Sequence, residues 1–358
     1  MRQRLFTPGP LTTDPRVREA MTRDWGSRDA DFIALTAELR TRLLAVANGA
    51  ASHVAVPLQG SGTFLLEAAV GTLIGKADKL LVVVNGAYGR RMAAIARRLG
   101  LAVETLDHAE DTPCDSARLA AALEADPAIT HVSLVHVETT SGLLNPLEVV
   151  AALCTRAGKA LIVDAMASFG ALPIDLTGTH PITALLASSN KCLEGPPGIA
   201  FALIERAALQ AAEARNPSLS LDLHAQWRGF ETDGQWRFTP PVQIVAGLVE
   251  SLRILEEEGG PSARISRYRR RFDRLVGRLE QLGYRLYLDR SVNAPIIATF
   301  RPRPDRPFDF RVLYDRLAAQ GLVIYPGKLT AEETFRIGVI GAVDDSDFDD
   351  LIAAIAEL

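Results

Sequence analysis

The first half of the chain alternates short, continuously apolar runs with stretches in which apolar residues recur every three or four positions. The apolar runs predict buried strands at 54–58, 79–84, 129–137, 160–164 and 184–188. The amphipathic stretches predict helices at 63–73, 87–99 and 146–157, the last with a proline in its first turn. Strands that are apolar throughout and separated by helices predict a mostly parallel sheet covered by helices on both faces.

The pattern changes near residue 245. From there the sequence predicts helices at 242–258, 263–282, 309–320 and 348–358, and strands at 294–300 and 334–339. This indicates a second, smaller α/β domain, so we expect an N-terminal arm at 1–14, a large domain at 15–245 and a small C-terminal domain at 246–358. The five arginines at 264, 267, 269, 270 and 271 are expected to form a solvated helix face rather than a nucleic-acid patch.

Composition narrows the class of protein. The 358 residues are 48% hydrophobic and 23% charged, which is enough apolar material for a large core, and the net charge of −4 argues against nucleic-acid binding. No apolar run approaches the roughly 18 residues of a membrane span, and no apolar signal-peptide core follows the N-terminus. Cys114, Cys154 and Cys192 are too few and too scattered for a disulfide framework or a zinc site. We therefore expect a cytoplasmic protein of enzyme size that binds neither metal nor membrane.

A loop of small residues, Gly60-Ser61-Gly62-Thr63, lies between the first predicted strand and the helix that follows it. Ligands of parallel sheets bind at the carboxyl ends of the strands, and the free N–H groups at a helix N-terminus suit a phosphate. On the loop alone, an ordinary strand-to-helix turn capped by Ser61 or Thr63 is the simpler interpretation.

Two further polar residues follow predicted strands. Asp164 ends the run at 160–164, where an acid is either paired, functional or a cap of the next turn. Lys191 follows the strand at 184–188 and is a candidate Schiff-base lysine, although a strand-end lysine that extends to solvent is commoner. Together, a phosphate loop, a buried acid and a lysine at one sheet edge are the residues that a pyridoxal 5′-phosphate site requires.

Seven segments resemble, in the same order, the motifs of the fold-type I, class V aminotransferases, and they extend over essentially the whole chain. They are TPGP at 7–10, NGAYG at 85–89, HVETTSG at 136–142, DAMASFG at 164–170, SSNK at 188–191, WRFTPP at 236–241 and FRIG at 335–338. The resemblance implies a pyridoxal-phosphate-dependent aminotransferase that works as a homodimer with shared active sites.

The resemblance also implies a role for each matching residue. Lys191 and Asp164 are the implied catalytic residues, Arg336 is implied to bind the substrate carboxylate, and Gly9 and Arg28 are placed near the substrate. The implied cofactor contacts are Ser61, Gly62, Thr63, Tyr88, Thr139, Asp164, Met166, Asn190, Lys191, Trp236 and Thr239. Trp236 and Thr239 would come from the other subunit, although Thr239 has an alternative role as cap of the helix predicted from 242.

Within this class, five longer strings resemble the group of transaminases that take 2-aminoethylphosphonate as amino donor and pyruvate as acceptor. They are LFTPGPLTT at 5–13, LQGSGTF at 58–64, DAMASFG at 164–170, GQWRFTPP at 234–241 and IYPGKLT at 324–330. Alanine–glyoxylate or serine–pyruvate transamination is the alternative on the same fold. A cysteine desulfurase or a non-catalytic cofactor-binding protein is a more distant one.

A phosphonate carries a second negative charge, so a cation besides Arg336 is expected near the substrate. Arg28 and Arg90 are the candidates, whereas Arg91 is expected to be structural.

Overall fold

A computed structural model describes residues 3–327, 329 and 332–357, so Lys328 and Thr330 of the string at 324–330 lie outside the described residues. The helices are α1 (Pro15–Ala20), α2 (Ala30–Val46), α3 (Gly62–Leu73), α4 (Ala87–Arg98), α5 (Ser116–Ala125), α6 (Leu147–Ala157), α7 (Arg206–Gln210), α8 (Leu223–Asp233), α9 (Val242–Glu258), α10 (Gly260–Gln281), α11 (Phe310–Ala318) and α12 (Asp345–Ala356). Within that described part, no helix combines the length and the apolar character that crossing a membrane requires.

The strands are β1 (Arg4–Leu5), β2 (His53–Gln59), β3 (Lys79–Val84), β4 (Ala102–Asp107), β5 (His131–Val135), β6 (Val137–Glu138), β7 (Leu143–Leu144), β8 (Ala160–Asp164), β9 (Ala184–Ser188), β10 (Ile199–Glu205), β11 (Arg285–Leu286), β12 (Ile297–Arg301), β13 (Leu322–Val323), β14 (Tyr325–Pro326) and β15 (Phe335–Gly338). Seven of them, all within residues 53–205, form the central sheet in the order β2-β10-β9-β8-β5-β3-β4. Only β10 runs against the others, because it pairs antiparallel with both β2 and β9. The predicted mostly parallel sheet is therefore confirmed.

Helices cover both faces of this sheet. Side chains of successive strand residues point to opposite faces, so each strand contributes to two cores. On one face, Leu81 and Val83 belong to a core that includes apolar residues of α2, α5, α6 and α9. On the other face, Leu80 and Val82 pack with residues of α3, α4 and α8. This three-layer arrangement is the α/β class that the sequence predicts.

The C-terminal part has its own core beneath an antiparallel sheet of order β11-β12-β15-β14. Phe300 and Phe335 stack there with ring centroids 5.6 Å apart, and α10, α11 and α12 contribute to the same cluster. The N-terminal segment joins this part, because β1 pairs with β13 and Phe6 lies in the same core. The predicted division at 245 falls inside α9, whose buried residues belong to the large-domain core. We propose that the boundary lies at Gly259 instead.

The arginine run of α10 is not the solvated face that its charge suggests. Arg269 and Arg270 are exposed, but Arg264 is fully buried and Arg271 is 8% exposed. Arg264 and Arg271 lie on the same helix face as Tyr268 and Leu275, since residues three and four apart share a face, and that face packs inward. A partly buried carboxylate balances the charge of Arg264, since Glu258 lies 2.8 Å from it. The expectation is therefore wrong for two of the five arginines.

Candidate active site

The predicted site residues come together because five strands of the same direction end at one edge of the central sheet. β2 leads into the 60–63 loop, β3 into the segment before Tyr88, β5 into the segment that carries Thr139, β8 ends at Asp164, and β9 is followed by Lys191. The polar segments after these strands thus line one cleft, as the sequence predicts for a parallel sheet.

The 60–63 loop forms a cradle at the start of α3. Gly60 has φ +126°, a conformation that favours glycine, and it turns the chain between β2 and the helix. A Cβ added to Gly62 would lie 2.7 Å from the Met166 sulfur, so the cradle packs against the segment after Asp164. Ser61 is the N-cap residue, but its side chain makes no capping hydrogen bond. The capping alternative therefore fails for Ser61, and the first-turn amides of α3 remain available to an anion.

Lys191 is held inside the cleft rather than extended into solvent. Its Nζ donates a long hydrogen bond of 3.4 Å to Thr139 Oγ1 and lies 5.5 Å from the centroid of the Tyr88 ring. Burial lowers the pKa of Lys191, and the charge of Asp164 only partly opposes that effect. A neutral amine in this position can act as a base or as a nucleophile.

Gly9 of the N-terminal arm lies against the same lysine. A Cβ at Gly9 would be 3.4 Å from Lys191 Cδ and 2.6 Å from the Asn190 carbonyl oxygen, and its φ is +116°. Only glycine fits so closely, so the N-terminal arm packs directly against Lys191, and the substrate-side role of Gly9 stays a prediction.

Asp164 is a buried acid, 2% exposed, at the end of β8. The Met166 amide donates to its Oδ1 at 2.9 Å. Burial raises the pKa of Asp164, and the Met166 amide and the charges of Lys191 and Arg91 oppose this. A carboxylate in such surroundings is stabilised by a cationic hydrogen-bond donor.

Arg336 lies on β15 and is 2% exposed. Its Nη1 donates to the Thr139 carbonyl at 2.8 Å, and its Nε donates to the Pro326 carbonyl at 2.9 Å. Burial lowers the pKa of this guanidinium, and the nearby tyrosines and Glu138 oppose that shift. Two backbone carbonyls thus fix the guanidinium plane and leave Nη2 outside both hydrogen bonds. Thr139 contacts both Lys191 and Arg336.

Sequence reasoning did not assign a role to Glu138. This fully buried carboxylate accepts hydrogen bonds from the Tyr88 amide at 3.2 Å and from Thr140 Oγ1 at 2.7 Å. A Cβ added to Gly86 would lie 2.2 Å from the Glu138 carboxyl carbon. Glu138 therefore joins the start of α4 to the Thr139 segment, and the signal for it was its place inside the motif at 136–142.

The arginines considered for the second negative charge of the phosphonate have surroundings that differ from those expected. Arg90 pairs with Glu110 at 2.6 Å and is about half exposed, so its guanidinium is engaged at the surface. Arg91, expected to be structural, instead donates to Thr63 Oγ1 at 3.0 Å in the cradle. Arg28 is exposed in a turn before α2. Successive helix residues differ by about 100° in direction, which is why Arg90 and Arg91 have different surroundings.

The two residues implied to cross a dimer interface differ in their surroundings. Trp236 donates its indole N–H to Thr36 Oγ1 at 3.2 Å and packs edge-on against Phe230. Its side chain is therefore anchored in its own chain. Thr239 is exposed, and α9 begins after Pro241 without a side-chain cap, which removes the capping alternative for Thr239. The cross-subunit role stays a prediction, and it now depends mainly on Thr239.

Cys192 does not have the environment of a nucleophile. It is fully buried, its thiol contacts the Ala167 carbonyl at 3.2 Å, and burial raises its pKa to about 12. This argues against the desulfurase alternative. Across residues 3–327, 329 and 332–357, no group of three or more metal-ligating side chains forms a candidate metal site.

The profile of the class-V aminotransferases matches residues 16–335, and the chain belongs to this family. A 2-aminoethylphosphonate–pyruvate transaminase of Pseudomonas putida is 50% identical over 99% of this chain and 96% of its own length. A protein of the same description from Burkholderia lata is 51% identical over 99% of this chain and 95% of its own length. Among solved structures, an alanine–glyoxylate aminotransferase from Nostoc sp. has a TM-score of 0.92 and 26% identity, covering 100% of this chain and 95% of that one. The fold-type I architecture and the aminotransferase class that the motifs indicate are thus confirmed.

Proposed function

We propose that this chain is a pyridoxal-phosphate-dependent transaminase that moves the amino group of 2-aminoethylphosphonate to pyruvate, giving phosphonoacetaldehyde and L-alanine. The observation that carries the proposal is that Lys191 and Arg336 both donate to Thr139. Lys191 Nζ lies 3.4 Å from its Oγ1, and Arg336 Nη1 lies 2.8 Å from its carbonyl oxygen. This arrangement puts a proton-transferring amine beside an anion-binding guanidinium. Relatives about half identical over nearly the whole chain support the choice of donor.

The residues of the cleft fit pyridoxal phosphate. Ser61, Gly62 and Thr63 would receive its phosphate, since the first turn of α3 offers amides and Gly62 leaves no room for a side chain on the Met166 side. Asp164 would pair with the ring nitrogen, and Lys191 would carry the cofactor. When bound, the cofactor supplies a ring that accepts the electron pair released at the substrate carbon.

The chain's own groups then perform the proton transfer and the binding. Lys191 Nζ would take the proton from the substrate carbon that bears the amino group and later return a proton, and its lowered pKa favours the neutral amine that this transfer needs. Paired with a protonated ring nitrogen, Asp164 would keep a negative charge at the ring end of the cleft. Tyr88, held through its amide by Glu138, would limit the tilt of the ring.

Arg336 binds the anionic end of each substrate in turn, the phosphonate of the donor and the carboxylate of pyruvate. The planar guanidinium is fixed by its bonds to Thr139 and Pro326, so little ordering is needed on binding. The second charge of the phosphonate calls for a further cation, and Arg28 is the remaining proposal because Arg90 is engaged by Glu110.

We also propose a cytoplasmic homodimer whose partner subunit completes each site through Thr239. The exposed position of Thr239 supports this role. All three cysteines are buried free thiols, which fits a reducing compartment.

The decisive experiment follows the first half-reaction with four amino donors in parallel: 2-aminoethylphosphonate, L-alanine, L-serine and β-alanine. The change in cofactor absorbance gives the rate for each donor, and 2-aminoethylphosphonate should be the best by a wide margin. A higher rate with L-alanine or L-serine would instead favour the alanine–glyoxylate or serine–pyruvate activity. Borohydride reduction followed by peptide mapping should label Lys191, and the Lys191→Ala protein should show no label.

A further inference from the structure

Arg91 connects two elements of the proposed cofactor site, helix α4 and the 60–63 loop. It lies one turn into α4, and its Nη1 donates to Thr63 Oγ1 at 3.0 Å in the cradle. Its guanidinium carbon lies 4.8 Å from the centroid of the Tyr88 ring. The neighbouring Arg90 points away and pairs with Glu110 at 2.6 Å, so the two adjacent arginines provide a built-in comparison.

The hydrogen bond to Thr63 determines which way that hydroxyl can donate. A threonine hydroxyl has one hydrogen to donate and two lone pairs to accept with. Arg91 occupies one of the lone pairs, so the Thr63 hydrogen remains for another acceptor. Thr63 also lies in the first turn of α3, where the backbone amides have no partner within the helix. An anion in the cradle is the acceptor that both groups suit.

The charge of Arg91 also favours an anion in the 60–63 loop. The cradle itself contains Gly60, Ser61, Gly62 and Thr63, none of which is charged. Bringing a guanidinium to Thr63 gives this neutral loop a cation that is held on one side by the hydroxyl and on the other by the Tyr88 ring. A doubly charged phosphate monoester gains more from such a cation than a neutral ligand does.

We propose that Arg91 is a positioning residue for a phosphate monoester dianion in the 60–63 loop, acting by orienting the Thr63 hydroxyl and by supplying the positive charge of the cradle. The inference rests on the proposed function for the identity of the ligand as pyridoxal phosphate. It assigns the hydrogen bond between Arg91 and Thr63 to the phosphate end of that ligand.

The test compares pyridoxal phosphate with pyridoxal, which has the same ring and aldehyde but no phosphate. Dissociation constants are measured on the cofactor-free proteins by quenching of tryptophan fluorescence, for wild type, Arg91→Met, Arg91→Lys and the control Arg90→Met. We expect Arg91→Met to weaken pyridoxal phosphate binding about 10- to 100-fold, the range of a charged hydrogen bond, while pyridoxal binding changes little. Arg91→Lys should recover part of the loss, and Arg90→Met should match wild type.

Thr63→Val gives an independent check. If Arg91 acts through the Thr63 hydroxyl, the double variant Thr63→Val with Arg91→Met should bind pyridoxal phosphate more tightly than the sum of the single losses predicts. Additive losses would overturn the orienting role. Thermal melting of each cofactor-free protein identifies folding defects. If Arg91→Met does not fold, the test uses Arg91→Lys instead, with the same comparison of its affinities for pyridoxal phosphate and pyridoxal.

Two results would overturn the inference. Equal weakening of pyridoxal phosphate and pyridoxal would show that Arg91 acts on the ring side or on the fold alone. Unchanged affinity for both ligands would show that it has no role in binding. A wild-type protein that binds neither ligand would instead refute the proposed function, so the two failures are distinguishable.

Discussion

Replacement of Arg336 tests the substrate end of the site most directly. The guanidinium has five N–H groups, and the bonds to the Thr139 and Pro326 carbonyls use two of them. Both Nη atoms therefore retain hydrogens that can form a bidentate pair with a carboxylate. We expect Arg336→Met to lose acceptor binding and Arg336→Lys to retain only part of it.

The expected loss of activity follows from the two hydrogen bonds of the bidentate pair with the carboxylate. A hydrogen bond to a charged group contributes about 1.5–3 kcal/mol, so the bidentate pair contributes about 3–6 kcal/mol. Since each 1.36 kcal/mol corresponds to a factor of ten in rate, kcat/KM for pyruvate should fall roughly 10²- to 10⁴-fold in Arg336→Met. A lysine keeps the charge but not the planar fork, and we expect a smaller loss, about 10- to 100-fold.

The assay compares pyruvate with acetaldehyde, an acceptor that has the same carbonyl but no carboxylate. Wild type should strongly prefer pyruvate, and in Arg336→Met that preference should nearly vanish because the acetaldehyde rate changes little. Urea unfolding of each variant corrects for the two carbonyls left without their donor. An equal fall with both acceptors would refute the assignment, since it would show that Arg336 supports the fold and not the carboxylate.

Three other predictions concern the acid, the dimer and a buried ionic cluster. Asp164→Ala should slow the half-reaction by several orders of magnitude, with a milder loss in Asp164→Glu, and stopped-flow rates close to wild type would show that the acid is only structural. Mixing Lys191→Ala with Thr239→Ala chains should restore activity, because each heterodimer then contains one intact site; no recovery despite proven heterodimers, with Thr239→Ala alone clearly impaired, would contradict the shared site. Glu194→Gln should lower the free energy of unfolding by about 3–5 kcal/mol, since Arg264 and Arg267 lose a buried counter-charge, whereas the exposed control Glu257→Gln should change it little. Burial alone raises the pKa of Glu194, but those arginines outweigh it and hold the pKa below its ordinary value. This stabilisation is therefore fully present above the ordinary carboxyl pKa and is lost as the pH falls through the lowered pKa of the folded protein. Urea unfolding at pH 7 and at acidic pH should show a smaller pH effect in Glu194→Gln.

The polarity pattern by itself determined the buried strands of the large domain, and with them the position of the site. β3 and β8 coincide with the predicted bounds, because a strand covered on both faces is apolar throughout. The carboxyl ends of parallel strands meet at one edge, so Asp164 and Lys191 had to lie near the 60–63 loop. The family motifs then supplied residues such as Arg336, which no local pattern distinguishes from other arginines.

The direction and pairing of β10 are a result of the tertiary structure. Its seven residues are apolar up to Glu205, yet it enters the sheet between β2 and β9 and runs against both. Side-chain burial is the same for either direction of a strand, so the sequence pattern carries no signal for it. β4 escaped prediction for a different reason, since it is an edge strand with exposed residues alternating along it.

The division of the arginines also depended on the packed structure. Arg90 and Arg91 are adjacent and chemically identical, but only Arg91 reaches Thr63. In α10, likewise, Arg264 and Arg271 face the core while Arg270 is exposed. A helix turns by about 100° per residue, so the environment of each side chain depends on how the helix is rotated against its neighbours. That rotation is decided by packing with segments distant in the chain. The run of arginines in the sequence therefore predicted a solvated face, whereas the packed helix buries two of them.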